Sequence, residues 1–265
     1  MPREAEAGQV AIVRDLARSI ERCEITHIAR EPIHFDRALE QHQAYVEGLE
    51  RNGIEVVRLG ADERHPDGCF VEDAAIVLDE LAVIAMPGAA SRRGETSDVA
   101  AALGGFRDRI ERIELPATLD GGDVLVFGRS VYVGRTSRTN PAGIGALRRL
   151  LAPFEYQVVP VGVTGCLHLK SAVTAIDDRT LLANRAWFDG AALGPARVVE
   201  VDPAEPGAAN VLRVADELWA HPAYPRTFER LAGLGHRLVP MDISEFVKAE
   251  AALTCKSLLF RRTDG

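Results

Sequence analysis

One cysteine, one histidine and several carboxylates in this sequence have the residue types needed to attack a cationic carbon. Cys255 lies in the segment LTCKS and His168 in the segment CLHLKS. The thiolate is the nucleophilic form of cysteine, and histidine is the side chain that most often moves protons in catalysis. Carboxylates can hold a positively charged substrate in place. The acidic candidates are Asp67, Glu72, Asp73, Asp120 and Asp123.

The four cysteines do not all call for the same interpretation. A lone cysteine is most often a small buried hydrophobe, and we interpret Cys23, Cys69 and Cys166 in that way. Cys255 differs because it lies at a predicted loop-to-strand junction and is followed by Lys256. The lysine would favour a thiolate if the two groups come near, although adjacent residues of a strand point to opposite faces.

The acidic and histidine segments also have structural interpretations. In this interpretation, the charges of residues 67–73 would keep the edge of a strand soluble, and residues 120–123 would form a glycine turn flanked by acids. Interpreted as a strand, the first segment puts Glu72 and Asp73 on opposite faces. Interpreted as a strand, the histidine segment puts His168 and Lys170 on one face. A structural core histidine is the alternative for His168.

A repeat organises the sequence around these residues. Each unit contains an apolar strand, a short polar turn and a second apolar strand, which is the pattern of a hairpin. The first four pairs are 73–78 with 81–86, 123–127 with 131–134, 171–176 with 180–183, and 210–214 with 218–220. The first strand of the fifth pair, 257–260, lies near the C-terminus, and its expected partner is 10–13 near the N-terminus.

Most units continue with a helix and one further strand. The predicted helices are 35–51, 98–103, 141–152 and 226–232, from helical periodicity and the end signals Asn52-Gly53 and Asn140-Pro141. The predicted third strands are 54–59, 110–115, 157–161, 198–201 and 237–240. Strand–strand–helix–strand units that recur every roughly 40 to 50 residues fall in the range of circular arrays.

We therefore predict a ring of five units. Pairing of the terminal strands would close it and leave no free edge. The polar residues at the starts of the inner strands would then converge on a central cleft. An ordinary α+β sandwich with several hairpins is the alternative that the pattern leaves open. No linker or break in composition divides the chain, so we expect one domain over residues 1–265.

Composition narrows the classes of function. The net charge is −8 and the hydrophobic content is 47%, so the chain can bury a core and has no general reason to bind nucleic acid or an anionic membrane. No apolar run reaches the ~20 residues of a membrane span. The N-terminus has no signal segment, and the cysteines have no C-x-x-C spacing. We expect a cytoplasmic protein with reduced thiols and neither a disulfide framework nor a metal site.

Six motifs taken together resemble the dimethylarginine dimethylaminohydrolase family. In chain order they are FVED at 70–73, SRR at 91–93, LDGGD at 119–123, RTN at 138–140, HLKS at 168–171 and LTC at 253–255. A single motif is weakly specific, whereas six in order over nearly the whole chain are strongly so. The resemblance implies the five-bladed α/β propeller called the pentein fold, which agrees with the ring predicted from the repeats.

The resemblance also implies an activity and a set of residues. The activity is hydrolysis of Nω-methylated arginine to citrulline and a methylamine through a covalent cysteine thiouronium intermediate, with no metal or organic cofactor. Cys255 would be the nucleophile, His168 the general acid and base, and Asp120 the carboxylate that orients the histidine. Glu72 and Asp73 would lie against the guanidinium.

Further substrate contacts follow from the same resemblance. Asp67 would also touch substrate, Arg92 and Arg138 would take the α-carboxylate, and the backbone carbonyl of Ala249 would take the α-amine. A lid would fall within about residues 17–32, where the sequence resembles the family least. The expected partner is a small guanidino compound, and the chain would be a monomer or a homodimer.

Three other functions remain open from the sequence. A related guanidino hydrolase could act on free arginine, as a deiminase does, or on another guanidine. An amidinotransferase would pass the amidino group to a second amine. A non-catalytic guanidino-binding protein would bind without chemistry, although such a protein would have been free to lose Cys255 or His168.

Overall fold

Fifteen strands form five small sheets in the computed structural model, which describes residues 8–194 and 196–263. The strands are β1 (Gln9–Arg14), β2 (Glu55–Leu59), β3 (Ala75–Val77), β4 (Ala82–Ile84), β5 (Ile110–Arg112), β6 (Val124–Phe127), β7 (Ser130–Arg135), β8 (Gln157–Gly162), β9 (Val173–Ala175), β10 (Thr180–Ala183), β11 (Arg197–Glu200), β12 (Leu212–Val214), β13 (Glu217–Ala220), β14 (Arg237–Pro240) and β15 (Leu258–Arg261). The sheet orders are β15-β1-β2, β3-β4-β5, β6-β7-β8, β9-β10-β11 and β12-β13-β14.

Every sheet has the same pairing pattern. Its middle strand pairs antiparallel with the strand that opens the hairpin and parallel with the third strand. A parallel neighbour requires a crossover connection, which explains why helical or turn-rich segments lie between the second and third strands. The five-unit ring is thereby confirmed.

The chain termini close the ring as the sequence predicts. Strand β1 pairs antiparallel with β15, with Val10 opposite Phe260 and Ile12 opposite Leu258. It also pairs in parallel with β2, so the sheet contains both ends of the described chain. This pairing covers the hydrogen-bonding edges that two terminal strands would otherwise expose.

Six α-helices fall within the described residues. They are α1 (Phe35–Arg51), α2 (Thr96–Leu103), α3 (Pro141–Leu151), α4 (Leu169–Ala172), α5 (Pro225–Ala232) and α6 (Ser244–Val247). Helix α1 buries Tyr45 and Leu49 and ends before Gly53, whose φ of 74° is the left-handed conformation that glycine adopts most easily. Helix α3 begins where Asn140 Oδ1 accepts a hydrogen bond from the Gly143 amide at 2.8 Å. The four predicted helices are confirmed to within two residues at each end.

The third unit, which contains β9, β10 and β11, differs from the prediction for most units. Between β10 and β11 the described residues, 184–194 and 196, form two 3₁₀ turns, Arg185–Trp187 and Gly190–Leu193, and no α-helix. Asn184 and Asp189 cap these turns by accepting from the amides two residues later, at 3.1 Å and 3.2 Å. Such local side-chain bonds compete with a continuous helix.

The predicted inner strands begin later than expected, because a short helical turn precedes each of them. We call these five segments the entry turns. They are Val71–Ala74, Gly121–Asp123, Leu169–Ala172, Pro206–Ala209 and Thr254–Lys256. The strand interpretation of residues 67–73 and of the histidine segment is therefore wrong. The alternating faces predicted there do not apply, and the side chains follow helical geometry.

The apolar core is divided among the units. Five buried clusters lie between sheets and helices, and each draws side chains from neighbouring units of the ring. One of them joins Val10 and Ile12 of β1 to Leu258 and Phe260 of β15 and to Ile84 of β4. Within the described residues, no helix is long and apolar enough to cross a membrane.

Candidate active site

The entry turns bring most of the candidate residues to the hub of the ring. Glu72 and Asp73 lie on the first turn, and Asp120 directly precedes the second. His168 directly precedes the third turn, and Cys255 lies on the fifth. The first turn contacts the second and the fifth, and the third turn contacts the second and the fourth. Residues separated by up to about two-thirds of the chain are thus collected by the repeat itself.

Side-chain hydrogen bonds join the entry turns in a closed circle. Asp73 Oδ1 accepts from the Gly122 amide at 2.8 Å, and Asp123 Oδ1 accepts from the Leu169 amide at 3.0 Å. These two bonds connect the first turn to the second and the second to the third. Because acceptor and donor are both buried, each bond fixes the relative position of two turns in a low-dielectric environment.

Asn210, at the end of the fourth entry turn, completes the circle. Its Nδ2 donates to the Lys170 carbonyl at 2.9 Å and to Thr254 Oγ1 at 3.0 Å, and its Oδ1 accepts from the Thr254 amide at 3.1 Å. Thr254 Oγ1 in turn donates to Glu72 Oε2 at 2.8 Å, which returns the circle to the first turn. The turn that carries Cys255 is therefore held by its neighbours on both sides.

His168 lies between two carboxylates. Its Nε2 is 3.1 Å from Asp120 Oδ2, and its Nδ1 is 3.8 Å from Asp73 Oδ1. Burial lowers the pKa of His168, but the charges of Asp73, Asp120 and Asp123 outweigh this and raise the pKa to about 9. The imidazole is therefore protonated at neutral pH and can give up a proton.

Asp73 is held by an arginine as well as by the histidine. Arg92 Nη1 donates to Asp73 Oδ2 at 2.6 Å, and Arg92 also donates to both carboxylate oxygens of Glu95. Burial raises the pKa of Asp73, but His168 and Arg92 more than offset this, so the net shift is downward and the carboxylate stays charged. Arg92 is only 4% exposed, and its contact with a substrate carboxylate stays a prediction.

Glu72 is held by two partners, one at each carboxylate oxygen. Lys170 Nζ is 2.6 Å from Oε1, and the Thr254 hydroxyl donates to Oε2. Burial raises the pKa of Glu72 above its usual value, against the opposing effect of Lys170. Together with Asp73, this carboxylate gives the hub a negative lining that suits a guanidinium.

Cys255 is only partly buried, unlike Cys23 and Cys69. Its Sγ accepts a hydrogen bond from the Ala252 amide at 3.4 Å. Burial raises the pKa of the thiol above its usual range, and the charges of Glu72 and Asp73 raise it further. The thiol is thus neutral at neutral pH, and a cation placed between it and the carboxylates would favour the thiolate.

Arg138 contacts both the hub and the segment 17–32 through its guanidinium. Its Nη1 is 4.0 Å from Asp120 Oδ2, and its Nη2 is 3.4 Å from Glu24 Oε2. Within the described residues Nη1 is buried and has no hydrogen-bond partner. An arginine fork with a free buried donor is suited to receive a carboxylate.

Asp67 and Glu250 are among the carboxylates that hold the segment that the sequence predicts as a lid. Asp67 accepts from the Glu24 amide at 3.1 Å and 3.3 Å. Glu250 accepts from three successive amides of the segment, those of Thr26, His27 and Ile28. Burial raises the pKa of Asp67. The structure thus places Asp67 against the lid backbone, and its contact with substrate stays a prediction.

Ala249 lies between α6 and Glu250. It is buried, and its amide donates to the Phe246 carbonyl at 2.9 Å. Glu250 follows with a φ of 56°, an unusual value for a residue with a side chain. This turn carries both the lid anchor and Ala249, so the predicted contact to the α-amine and the lid position depend on the same backbone.

One histidine and two carboxylates of the hub could also be considered as metal ligands. Atoms of Asp73, Asp120 and His168 lie within 4.8 Å of one another. Asp73 is already paired with Arg92, and both ring nitrogens of His168 face carboxylates. We interpret the cluster as a proton-holding network, and the absence of a metal requirement stays a prediction.

Lys256 is fully buried beside the candidate nucleophile. Its Nζ is 3.1 Å from His42 Nδ1 and lies 3.2 Å from the centre of the Phe246 ring. Burial lowers the pKa of Lys256 to about 7 and that of His42 to about 2. The side chain thus points into the core behind Cys255, and its positive charge is largely lost above neutral pH.

This buried lysine predicts a pH-dependent stability. Its pKa is 10.5 when exposed and about 7 in the fold, so between these values the unfolded chain binds a proton that the folded chain does not. The free energy of unfolding therefore decreases as the pH falls through this window, and the loss reaches its full size below about pH 7. We expect Lys256→Met to raise Tm relative to the parent more at about pH 6.5 than at about pH 9.5.

Thermal unfolding at the two pH values measures this effect. Lys248→Met is the matched control, because Lys248 pairs with Glu245 nearer the surface. An equal change in Tm at both pH values for Lys256→Met would contradict the interpretation of Lys256 as a buried, largely neutral amine.

Comparisons with known proteins support the same family as the motifs. The model of the family described as "N,N dimethylarginine dimethylhydrolase, eukaryotic" matches residues 21–177. The N(G),N(G)-dimethylarginine dimethylaminohydrolase of Streptomyces coelicolor is 44% identical over 89% of this chain and 91% of its own length. This chain belongs to the dimethylarginine dimethylaminohydrolase family.

Two further relatives agree with this assignment. The dimethylarginine dimethylaminohydrolase of Pseudomonas aeruginosa is 34% identical over 85% of this chain and 89% of its own length. A structure of the Pseudomonas aeruginosa protein, solved as a cysteine-to-serine mutant with citrulline, has a TM-score of 0.90 and 32% identity, and covers 96% of this chain and 99% of that one. The five-bladed α/β propeller predicted from the resemblance is confirmed.

The structure of this dimethylarginine dimethylaminohydrolase family member gives roles to polar residues for which the sequence predicted none. Asn210 and Thr254 hold the turn of Cys255, and Lys170 holds Glu72. Their positions at or beside the starts of inner strands were a usable signal. Glu24 and Glu250 carried no such signal, because an isolated glutamate in a loop normally indicates a solvated surface.

Proposed function

We propose that this chain hydrolyses Nω-methylated arginine, either dimethylarginine or monomethylarginine, to citrulline and a methylamine. The observation that carries the proposal is the arrangement of His168 between Asp120 and Asp73, joined through Glu72 and Thr254 to the turn of Cys255. The related Pseudomonas aeruginosa protein, solved as a cysteine-to-serine mutant with citrulline, supports the same product and a role for a cysteine.

Substrate binding activates the nucleophile. The guanidinium lies against Glu72 and Asp73, which match its positive charge and hold it planar. Because these same carboxylates raise the pKa of the Cys255 thiol, neutralising them with a cation lowers that pKa. The thiol then releases its proton to solvent when the guanidinium carbon is within reach.

The first half-reaction replaces the methylamine with the enzyme. The Cys255 thiolate forms a bond to the guanidinium carbon, and the C=N electron pair moves to nitrogen to give a tetrahedral adduct. His168 donates its proton to the departing nitrogen, the C–N bond breaks, and dimethylamine or methylamine leaves. A covalent thiouronium on Cys255 remains.

The second half-reaction releases citrulline. His168, now neutral, takes a proton from a water molecule as the oxygen attacks the thiouronium carbon. The C–S bond then breaks, the hydroxyl proton of the adduct passes to the departing thiolate to restore the thiol, and the ureido group of citrulline forms. One water is consumed, and no step requires an oxidant, a metal or a second substrate.

A product assay tests the proposal. The protein is incubated with dimethylarginine, monomethylarginine and arginine in turn, and citrulline and the released amine are quantified by mass spectrometry. We expect citrulline with dimethylamine or methylamine, and less product from arginine. Ammonia from arginine without turnover of the methylated compounds would assign a deiminase-like activity, and a product other than citrulline would indicate amidino transfer.

The contact of Asp120 with His168 leads to a separate prediction about the pH dependence of the activity. Its hydrogen bond and charge help to raise the pKa of His168 to about 9, and His168 must be protonated to release the amine. The value of kcat/KM should therefore fall above about pH 9 in the parent. In Asp120→Asn we expect this fall to begin about one pH unit lower and kcat to decrease about 10- to 100-fold.

The pH profile of kcat/KM measures the shift, and Asp120→Glu is the matched control because it keeps the carboxylate. If Asp120→Asn lowers activity equally at every pH, Asp120 does not act through the proton of His168.

A further inference from the structure

Glu24 reaches into the site from the lid. Asp67 accepts a hydrogen bond from the amide of Glu24 itself, and Glu250 accepts from the amides of Thr26 and Ile28, so these bonds fix the position of Glu24. Its Oε2 lies 3.4 Å from Arg138 Nη2, and its Oε1 accepts a hydrogen bond from the Ser91 hydroxyl. The carboxylate is thus held at the arginine and is not a free surface charge.

Arg138 has a second guanidinium nitrogen, Nη1, that could bind an anion. The residue is 6% exposed, and its Nη1 is buried without a hydrogen-bond partner among the described residues. Nη2 faces the lid, where Glu24 Oε2 and Thr26 Oγ1 lie at 3.4 Å and 3.5 Å. Both contacts are long for charged hydrogen bonds. The guanidinium of Arg138 can therefore still form a short, strong hydrogen bond to an anion other than the lid.

The pair of opposite charges is complementary to a zwitterion. A carboxylate bound at Arg138 would lie beside the carboxylate of Glu24, and the two like charges would repel. An α-amino acid removes this conflict, because its ammonium is one carbon away from its carboxylate and can pair with Glu24. A carboxylic acid that lacks the amine would keep the repulsion.

Resting on the proposed function, we infer that Glu24 is a specificity-determining residue that binds the α-ammonium of the substrate. The site then recognises the amino acid head by two side-chain charges, Arg138 for the carboxylate and Glu24 for the ammonium. Ser91 orients the Glu24 carboxylate, and the Glu250 contact keeps the lid down. Discrimination against guanidino acids without an α-amine follows from the same contacts.

A pair of substrates isolates this effect. Glu24→Gln keeps the size of the side chain and removes its charge. The substrates are dimethylarginine and the dimethylated form of 5-guanidinopentanoate, which lacks only the α-amine, and release of dimethylamine is measured for both. We expect Glu24→Gln to lower kcat/KM for dimethylarginine about 10-fold or more, mainly through KM, because a charged hydrogen bond is lost. For the analogue without the amine, kcat/KM should stay equal or rise.

Glu21→Gln is the matched control, because Glu21 is an exposed glutamate of the same lid segment. It should leave the preference for the amino acid unchanged. Equal losses on both substrates in Glu24→Gln would overturn the inference and assign Glu24 to lid structure alone. An unchanged preference in Glu24→Gln would overturn it as well.

Binding of product analogues separates this inference from the proposed function. Citrulline and 5-ureidopentanoate differ only by the α-amine, and calorimetry measures their Kd without turnover. We expect the parent to bind citrulline more tightly and Glu24→Gln to lose about 10-fold or more of that preference. If no methylated arginine is hydrolysed but this loss is observed, the proposed function fails and the inference stands. An equal preference in parent and variant refutes the inference.

Discussion

Cys255→Ser is expected to decrease citrulline formation from dimethylarginine about 10⁴-fold or more while the chain remains folded. Serine preserves the size of the side chain and the bond from the Ala252 amide. Its hydroxyl has a far higher pKa than a thiol, so a guanidinium between Glu72 and Asp73 does not ionise it. Steady-state turnover with mass-spectrometric detection of citrulline measures the loss, and the melting temperature verifies the fold.

Cys166→Ser is the matched control for this experiment. Cys166 is also partly exposed, and its thiol donates to the His168 carbonyl at 3.3 Å, a bond that serine can also make. We expect it to keep most of the activity. Comparable activity in Cys255→Ser and the parent would eliminate Cys255 as the nucleophile.

Glu72→Gln is expected to change two rates in opposite directions. Removing this charge lowers the pKa of the Cys255 thiol, since Glu72 contributes to raising it. Alkylation of Cys255 by neutral iodoacetamide should then become several-fold faster at about pH 8. The same change removes half of the negative lining that holds the guanidinium, so kcat/KM for dimethylarginine should fall about 100- to 1,000-fold.

Both rates are measured on the same preparation, with alkylation assigned to Cys255 by peptide mass spectrometry. Glu80→Gln is the control, because Glu80 forms an ion pair with Arg129 at the surface. A parallel decrease in both rates would mean that Glu72 acts mainly by holding the fifth entry turn through Thr254, not through its charge.

The ring and its closure could be predicted because they depend on local patterns. Hairpin strands alternate or run as short apolar segments, and helix α1 has a clear apolar stripe with a glycine end signal. The pairing of β1 with β15 followed from counting, since the last unit lacked strands that the N-terminus could supply. None of these inferences required knowledge of side-chain contacts.

The entry turns could not be predicted from strand periodicity. Glu72 and Asp73 precede an apolar strand, and alternation would place them on opposite faces. In the structure they lie on a helical turn, where the buried carboxylates reach Lys170 and Arg92. Long-range partners determine this local conformation, and a single sequence does not reveal which partners meet.

The contacts that hold the lid could not be predicted from the sequence either. Glu24 is 43 residues from Asp67 in the chain and Thr26 is 224 residues from Glu250, yet each pair is joined by a hydrogen bond. Lys256 is the opposite case. The sequence left open whether its amine lies near the thiol, and the fold places the amine in the core against His42 and Phe246.

The most direct test is the mass of the protein during turnover. Samples of the parent with dimethylarginine are quenched in acid within the first turnovers, and the intact protein and its peptides are analysed by mass spectrometry. The mechanism predicts an added amidino amino acid group on the peptide that contains Cys255, formed with the loss of dimethylamine and absent from Cys255→Ser. Burst-phase release of dimethylamine with no adduct on Cys255, or the adduct on another residue, would contradict it.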